Sequence, residues 1–282
     1  MKRQALAAVF SLLITGTALA QAPAGTAAPV APNAAFEPYV GQPGKDVIWV
    51  PTPDAVIARM LDIAKATPTD FLIDLGSGDG RTVIAAGKRG MRAMGVEFNP
   101  DMVALSNREA QKQGVADKVK FVNGDIFATD FTQANIVTMY LLPSLNLKLR
   151  PTLLDMKPGT RVVSHAFTMG DWEPDETATP EGRQVFLWIV PAKAAGTWSL
   201  QSGGQSRPLA LTQTYQKLQG TLGTGGASLS VADARMNGNQ IRFAVLDKAG
   251  VRQEFTGRVQ GNQMTGTVRT NGQEAPFTAT KK

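Results

Sequence analysis

Two hydrophobic periods divide the chain. Between residues 46 and 193, short apolar runs alternate with segments whose apolar residues recur every three or four positions; beyond Gly196 only strict alternation remains. The spacing of Val56, Ile57, Met60, Leu61 and Ala64 predicts a helix with one apolar stripe, and Thr52-Pro53-Asp54 reads as its start: Thr as N-cap, Pro first, an acid in the first turn. Short apolar runs predict strands at 71–75, 93–97, 119–122, 136–140, 161–165 and 185–190. Between them lie helices at 81–88, closed by Gly90, and from a cap at Asn99-Pro100-Asp101 to Gly114. A further helix over 145–156 should break near Pro151. Alternation of this kind builds a mostly parallel sheet with helices on both faces, whose ligand site lies at the carboxyl ends of the strands.

The tail reads differently. Alternating runs at 209–218, 227–236, 241–246, 251–259, 264–268 and 277–280 are separated by the turn pairs Asn237-Gly238, Gly261-Asn262 and Asn271-Gly272. They predict about six antiparallel strands, in a small sheet or barrel-like unit. The fold class expected is therefore α/β followed by a small antiparallel all-β domain, with the boundary between 46–195 and 196–282.

The first residues carry an address rather than a fold. Met1-Lys2-Arg3 is a basic start, Ala5 to Thr17 is apolar, and Ala18-Leu19-Ala20 fits a small-x-small cleavage site. Residues 1–20 are expected to be a bacterial-type signal peptide that exports the chain to the periplasm, too short for a comfortable membrane span. Residues 21–45, rich in Ala, Pro and Gly, are expected to be a mobile linker. Charge then sharpens the division: residues 21–195 hold 17 basic and 19 acidic side chains, residues 196–282 hold 10 and 4. The basicity belongs to the tail, where no aromatic residues interleave with a Lys/Arg stripe, and a nucleic-acid partner is not expected.

The chain has no Cys and a single His, which excludes thiolate chemistry and multi-His metal centres. The informative string is Asp74-Leu75-Gly76-Ser77-Gly78-Asp79-Gly80, set between a strand and a helix. Its glycines allow a sharp turn and close approach to a ligand. Glu97 ends the next strand, where it can accept hydrogen bonds from ribose hydroxyls, and Asp125, in Gly124-Asp125-Ile126, follows the third, where it could reach an adenine amino group. A dinucleotide fingerprint is spaced G-x-G-x-x-G and keeps acids away from its phosphates. Here the spacing is G-x-G-x-G with Asp74 and Asp79 beside it. That set suits S-adenosylmethionine and a Rossmann-like class I methyltransferase domain.

Residues 48–191 resemble the mitochondrial-type protein-lysine methyltransferase family. The strings that carry the resemblance are Val50-Pro51-Thr52-Pro53, the run from Asp74 to Arg81, Gly95-Val96-Glu97-Phe98-Asn99-Pro100, Tyr140-Leu141-Leu142-Pro143, Arg161-Val162-Val163-Ser164-His165 and Trp172-Glu173-Pro174. The resemblance implies S-adenosylmethionine-dependent methylation of a protein lysine or other amine. It implies that Pro51 and Thr52 lie over the cofactor and that Asp74, Gly76, Gly78, Glu97, Asn99 and Asp125 hold it, with Ser77, Gly80 and Ile126 in the same turns. The chain departs from that family in its export signal and its tail.

On the acceptor side, Tyr140 is either an aromatic wall around a lysine amine or a core tyrosine. His165 is either a base that takes the ammonium proton or a satisfied strand-end histidine. Trp172 could line the cleft or cover the core, and the acidic run from Asp171 to Glu181 could attract a basic substrate. Tyr-Leu-Leu-Pro offers no side-chain amide, which argues against methylation of adenine N6. Transfer itself is an in-line displacement that asks the protein mainly for alignment. Two other readings stay open from the residues: a non-catalytic sensor of an adenosine ligand, favoured by export away from the cytoplasm, and a small-molecule methyltransferase.

Overall fold

A computed structural model describes residues 36–224, 226–247 and 249–282; the expected signal peptide and residues 21–35 of the expected linker lie outside them. The α/β part is built on β1 (Phe71–Leu75), β2 (Arg92–Glu97), β3 (Val119–Asn123), β4 (Ile136–Met139), β5 (Arg161–His165), β6 (Glu176–Ala178) and β7 (Val185–Ile189). They form one sheet in the order β3-β2-β1-β4-β5-β7-β6. β1 to β5 run parallel, and β7 lies antiparallel between β5 and β6. Both faces are covered, which is why the strands read as continuous apolar runs. The helices α1 (Asp54–Ile63), α2 (Arg81–Lys88) and α3 (Pro100–Lys112) bury Val56, Met60, Val83, Ile84 and Ala110 against one face. On the other face α4 (Pro143–Leu154) buries Leu149 and Leu153 with Trp172 and Trp188. The chain winds outward from β1 to β3, then returns to place β4 on the other side of β1. That reversal opens a crevice at the carboxyl ends of β1 and β4.

Three details differ from the sequence expectation. α4 passes through Pro151 without breaking. A proline costs a helix the bond to the carbonyl four residues back, but Leu149 and Leu153, buried on either side of Pro151, hold the last turn in place. Thr52 does not cap α1: the cap position is Pro53 with no side-chain bond, and the Thr52 hydroxyl pairs instead with His165 Nδ1 at 3.2 Å. Residues 36–45, expected to be linker, form a turn in which Gly41 N–H donates to Trp49 O, and Trp49 N–H donates to Gln42 O, both at 2.9 Å. Satisfying the backbone there fixes the chain in spite of its Pro/Gly content.

The tail is a closed eight-stranded barrel rather than about six strands. β8 (Gly196–Ser202), β9 (Gln205–Thr214), β10 (Lys217–Thr224), β11 (Ala227–Asn237), β12 (Gln240–Leu246), β13 (Arg252–Gln260), β14 (Gln263–Thr270) and β15 (Gln273–Lys281) pair in sequence, and β8 closes on β15. Closure removes every edge. The 209–218 run hides a turn at Tyr215-Gln216, where Tyr215 takes φ 54° without a Gly or Asn to signal it. The interior is filled, not hollow: Phe243 and Phe255 stack with centroids 4.5 Å apart, and Phe277 meets Phe255 edge-on at 5.4 Å. Phe277 has room because Gly257 and Gly266 face each other beneath it; a Cβ on either would come within 3 Å of its ring. Burying each such ring contributes about 2–3 kcal/mol.

Candidate active site

The turn after β1 is set by alternating backbone signs. Gly76, Gly78 and Gly80 take φ of 76°, 53° and 80°, values that side chains resist. Gly76 and Ser77 N–H groups both donate to Val96 O, and Gly78 N–H donates to Glu97 Oε2 at 2.9 Å. Glu97 Oε1 takes the Asn99 N–H, and Asn99 in turn caps α3 by accepting from Asp101 N–H. The end of β2 is thereby locked to the turn after β1. Asp79 grips Arg81, whose Nη1 donates to Thr52 O and ties the chain before α1 to the same turn.

These elements enclose a cavity of about 380 Å³ at the carboxyl ends of β1, β2 and β4. Pro51, Thr52, Asp74, Gly76, Ser77, Gly78, Glu97, Asn99, Asp125, Ile126 and Tyr140 all line it. Gly80 does not: it lies behind the turn, where a Cβ would meet the Phe121 ring at 2.7 Å and Ser106 Cβ at 2.8 Å, so its role is close packing. His165 also stays outside the lining. It is 1% exposed, its ring sits 4.0 Å from that of Tyr140, and burial, helped by the charge of Arg183, pushes its pKa down to about 4. A neutral, enclosed imidazole of that kind supports Tyr140 and is a poor proton acceptor near neutrality.

The electrostatics of the cavity are those of a cation site. Asp74 is 6% exposed, accepts from the Thr138 hydroxyl at 2.6 Å, and has its pKa raised to about 7 by burial and by the nearby charges of Glu97 and Asp79. A buried carboxyl beside two more acids is a group whose ionised form a positive ligand would stabilise. Asp125 is held below the ordinary carboxylate range by Lys45, with which it pairs at 2.7 Å. Ser77 Oγ is buried with no partner and packs against Gly95 of β2, where a Cβ would come 2.5 Å from it. The rest of the lining is largely apolar and aromatic, including Trp49, Met102, Ile126 and Leu141, with Tyr140 stacked on Phe167. The donor set thus fits a ligand with hydroxyls, a flat ring and a cationic centre.

Sequence reasoning missed Lys45, Trp49 and Phe167, which also line the cavity. Trp49 could have been found: it precedes Val50-Pro51, and a Cβ on Gly78 would come 2.7 Å from its Nε1. Trp172 is a core residue, 0% exposed and packed on Trp188. The acidic run from Asp171 to Glu181 faces the protein's own cations: Asp171 pairs with Arg150, Glu173 with Lys217, Asp175 with Arg235 and Glu176 with Arg59. It is largely spent on internal pairs.

A family model described as ANTKMT methyltransferase domain matches residues 74–176. The protein-lysine N-methyltransferase of Saccharolobus islandicus is 40% identical over 151 residues, covering 51% of this chain and 94% of its own length. The adenine nucleotide translocase lysine N-methyltransferase of Mus musculus is 33% identical over 139 residues, covering 49% of this chain and 56% of its own length. A solved structure described as an RNA methyltransferase from Salinibacter ruber, in complex with S-adenosyl-L-homocysteine, is 51% identical, with a TM-score of 0.50, and covers 51% of this chain and 95% of that one. Each of the three thus accounts for about half of this chain.

Proposed function

Since the chain belongs to the protein-lysine N-methyltransferase family of S-adenosylmethionine-dependent enzymes, we propose that its acceptor is the side-chain amine of a lysine in a protein. The observation that carries this reading is the pairing of two groups in one cavity lining: the carboxylates Asp74, Glu97 and Asp125, and Tyr140 stacked on Phe167. When bound, S-adenosylmethionine supplies a methyl carbon on a positively charged sulfur, already activated for displacement. Asp74 and Glu97 are the carboxylates placed to hold its polar and cationic portions, and Trp49, Ile126 and Leu141 enclose a flat ring. Tyr140 and Phe167 form an aromatic surface that attracts an alkylammonium and excludes water from it. Desolvation against that wall lowers the amine's pKa. The proton leaves to solvent before transfer, because His165 is too acidic as an imidazolium to keep it at neutral pH.

The site's charge favours a protein over a nucleic acid. The cations in the cavity lining, Lys45 and Arg81, are paired with Asp125 and Asp79, whereas phosphate backbones require a basic stripe. Incubating purified protein with methyl-labelled cofactor and a cell-envelope extract separates the possibilities. The expected result is label in protein that disappears in Asp74→Ala. Label in RNA would move the acceptor class to that of the Salinibacter structure, and binding without transfer would favour the sensor reading. We also propose that residues 1–20 direct export to the periplasm and are removed after Ala20; finding the intact chain in the cytosol would refute this.

A further inference from the structure

We propose that the barrel is part of the acceptor site's machinery, and that Tyr215, at the turn between β9 and β10, is a positioning residue for the wall formed by Phe167. The inference rests on the methyltransferase reading of the cavity. After β5, Ala166 takes φ 64° and turns the chain so that Phe167 reaches the cavity against Tyr140. Phe167 belongs to a loop with no regular structure of its own, so its position depends on what holds the carbonyls around it. α4 provides one set of holds. Asn146 Nδ2 donates to Phe167 O and Thr168 O, and one helical turn later Arg150 Nη1 donates to Met169 O at 2.8 Å.

The barrel provides a further set. Arg150 also pairs with Asp171, and the Tyr215 hydroxyl donates to the second oxygen of Asp171 at 3.0 Å. The Tyr215 ring stacks on Trp172 at 5.9 Å and lies beneath the Arg150 guanidinium at 5.5 Å. Gln216, 1% exposed, donates from Nε2 to Glu173 O at 2.7 Å, and Lys217 pairs with the Glu173 carboxylate. Arg235 of β11 pairs with Asp175, which also accepts the Ile189 N–H of β7. Four barrel side chains therefore clamp 171–175 while α4 clamps 167–169, and β5 holds Phe167 from the other side, Ser164 Oγ donating to Phe167 O at 2.7 Å. A turn whose residues take no part in the barrel's filled core, yet converge on one loop of the other sheet, is placed for control of that loop.

The test uses the full chain, with S-adenosylmethionine and poly-L-lysine as the acceptor probe. Tyr215→Phe keeps the ring stack and removes only the hydroxyl; Arg235→Met removes a second tether. Each should raise KM for poly-L-lysine by about three- to tenfold, the range of a typical net hydrogen bond lost, while cofactor affinity and kcat stay within about twofold. Hydrogen exchange should quicken across 166–175 and not across the turn at 76–80. An unchanged acceptor KM, or a cofactor affinity that falls in step with it, would overturn the proposal. If the wild-type chain methylates no lysine polymer, the lysine reading fails on its own; exchange then decides the clamp alone, and unchanged protection of 166–175 in both variants refutes it.

Discussion

Replacing Asp74 by Asn should stabilise the fold and weaken its hold on the cofactor. In the folded state Asp74 has its pKa raised from 3.8 to about 7. A carboxyl raised in this way contributes stability that is fully present below the unfolded value and is lost as pH rises through about 7. The linkage amounts to about 3 kcal/mol between pH 5 and pH 8, an upper bound that relaxation reduces. The wild-type profile alone will not show it. His165, depressed to about 4 by burial, acts with the opposite sign: its contribution is full above 6.5 and falls as pH drops towards 4, by about 2 kcal/mol at pH 5. The two nearly cancel, so the wild type should look almost flat from pH 5 to 8. The difference between Asp74→Asn and wild type isolates the carboxylate, because Asn can still accept from the Thr138 hydroxyl and cannot ionise. Urea unfolding at pH 5, 6.5 and 8 should show the variant gaining about 1–3 kcal/mol on wild type as pH rises. Calorimetry at pH 8 should show cofactor affinity reduced by about ten- to a hundredfold, the range for a lost charge-assisted contact. A pH-independent stability difference, or unchanged affinity, would refute the reasoning that Asp74 is a strained acid awaiting a cation.

Other outcomes follow from the same geometry. His165→Asn should cost less than about tenfold in kcat, and the wild-type rate on a lysine acceptor should climb with pH beyond 8 without an inflection near 6.5, because the amine and not the imidazole sets the proton balance; a strong loss together with a break near neutrality would restore His165 as the base. Gly80→Ala should lower stability by about 2–4 kcal/mol through its φ of 80° and the contact with Phe121 and Ser106, measured by urea titration. Phe255→Ala in the barrel should cost about 3–5 kcal/mol, with a single unfolding transition showing that both sheets unfold together and two transitions showing that they do not.

The two parts of the chain were legible to different depths. β1, α2, α3 and β5 were readable because burial on both sheet faces and explicit caps, such as Asn99 accepting from Asp101, write the same message locally and globally. The acids at or just after three successive strand ends were readable because the carboxyl ends of parallel strands share one edge of the sheet. The turn at 36–49 was not, because its Pro/Gly composition matches a linker and its order comes from backbone bonds to Trp49 that leave no trace in hydropathy. Thr52 looked like a cap because the sequence cannot show that His165, 113 residues away, competes for its hydroxyl. β8 and the Tyr215 turn escaped for a related reason: barrel closure is a long-range pairing, and a positive φ on tyrosine carries no compositional sign.

The central claim is that this cavity delivers a methyl group to lysine. Mass spectrometry of envelope proteins after incubation with the purified chain and isotopically labelled S-adenosylmethionine tests it most directly. The account predicts labelled methyl groups on lysine side chains of protein, present with wild type and absent with Asp74→Ala. Labelled nucleosides without labelled lysine, or no product from a chain that binds the cofactor, would contradict it.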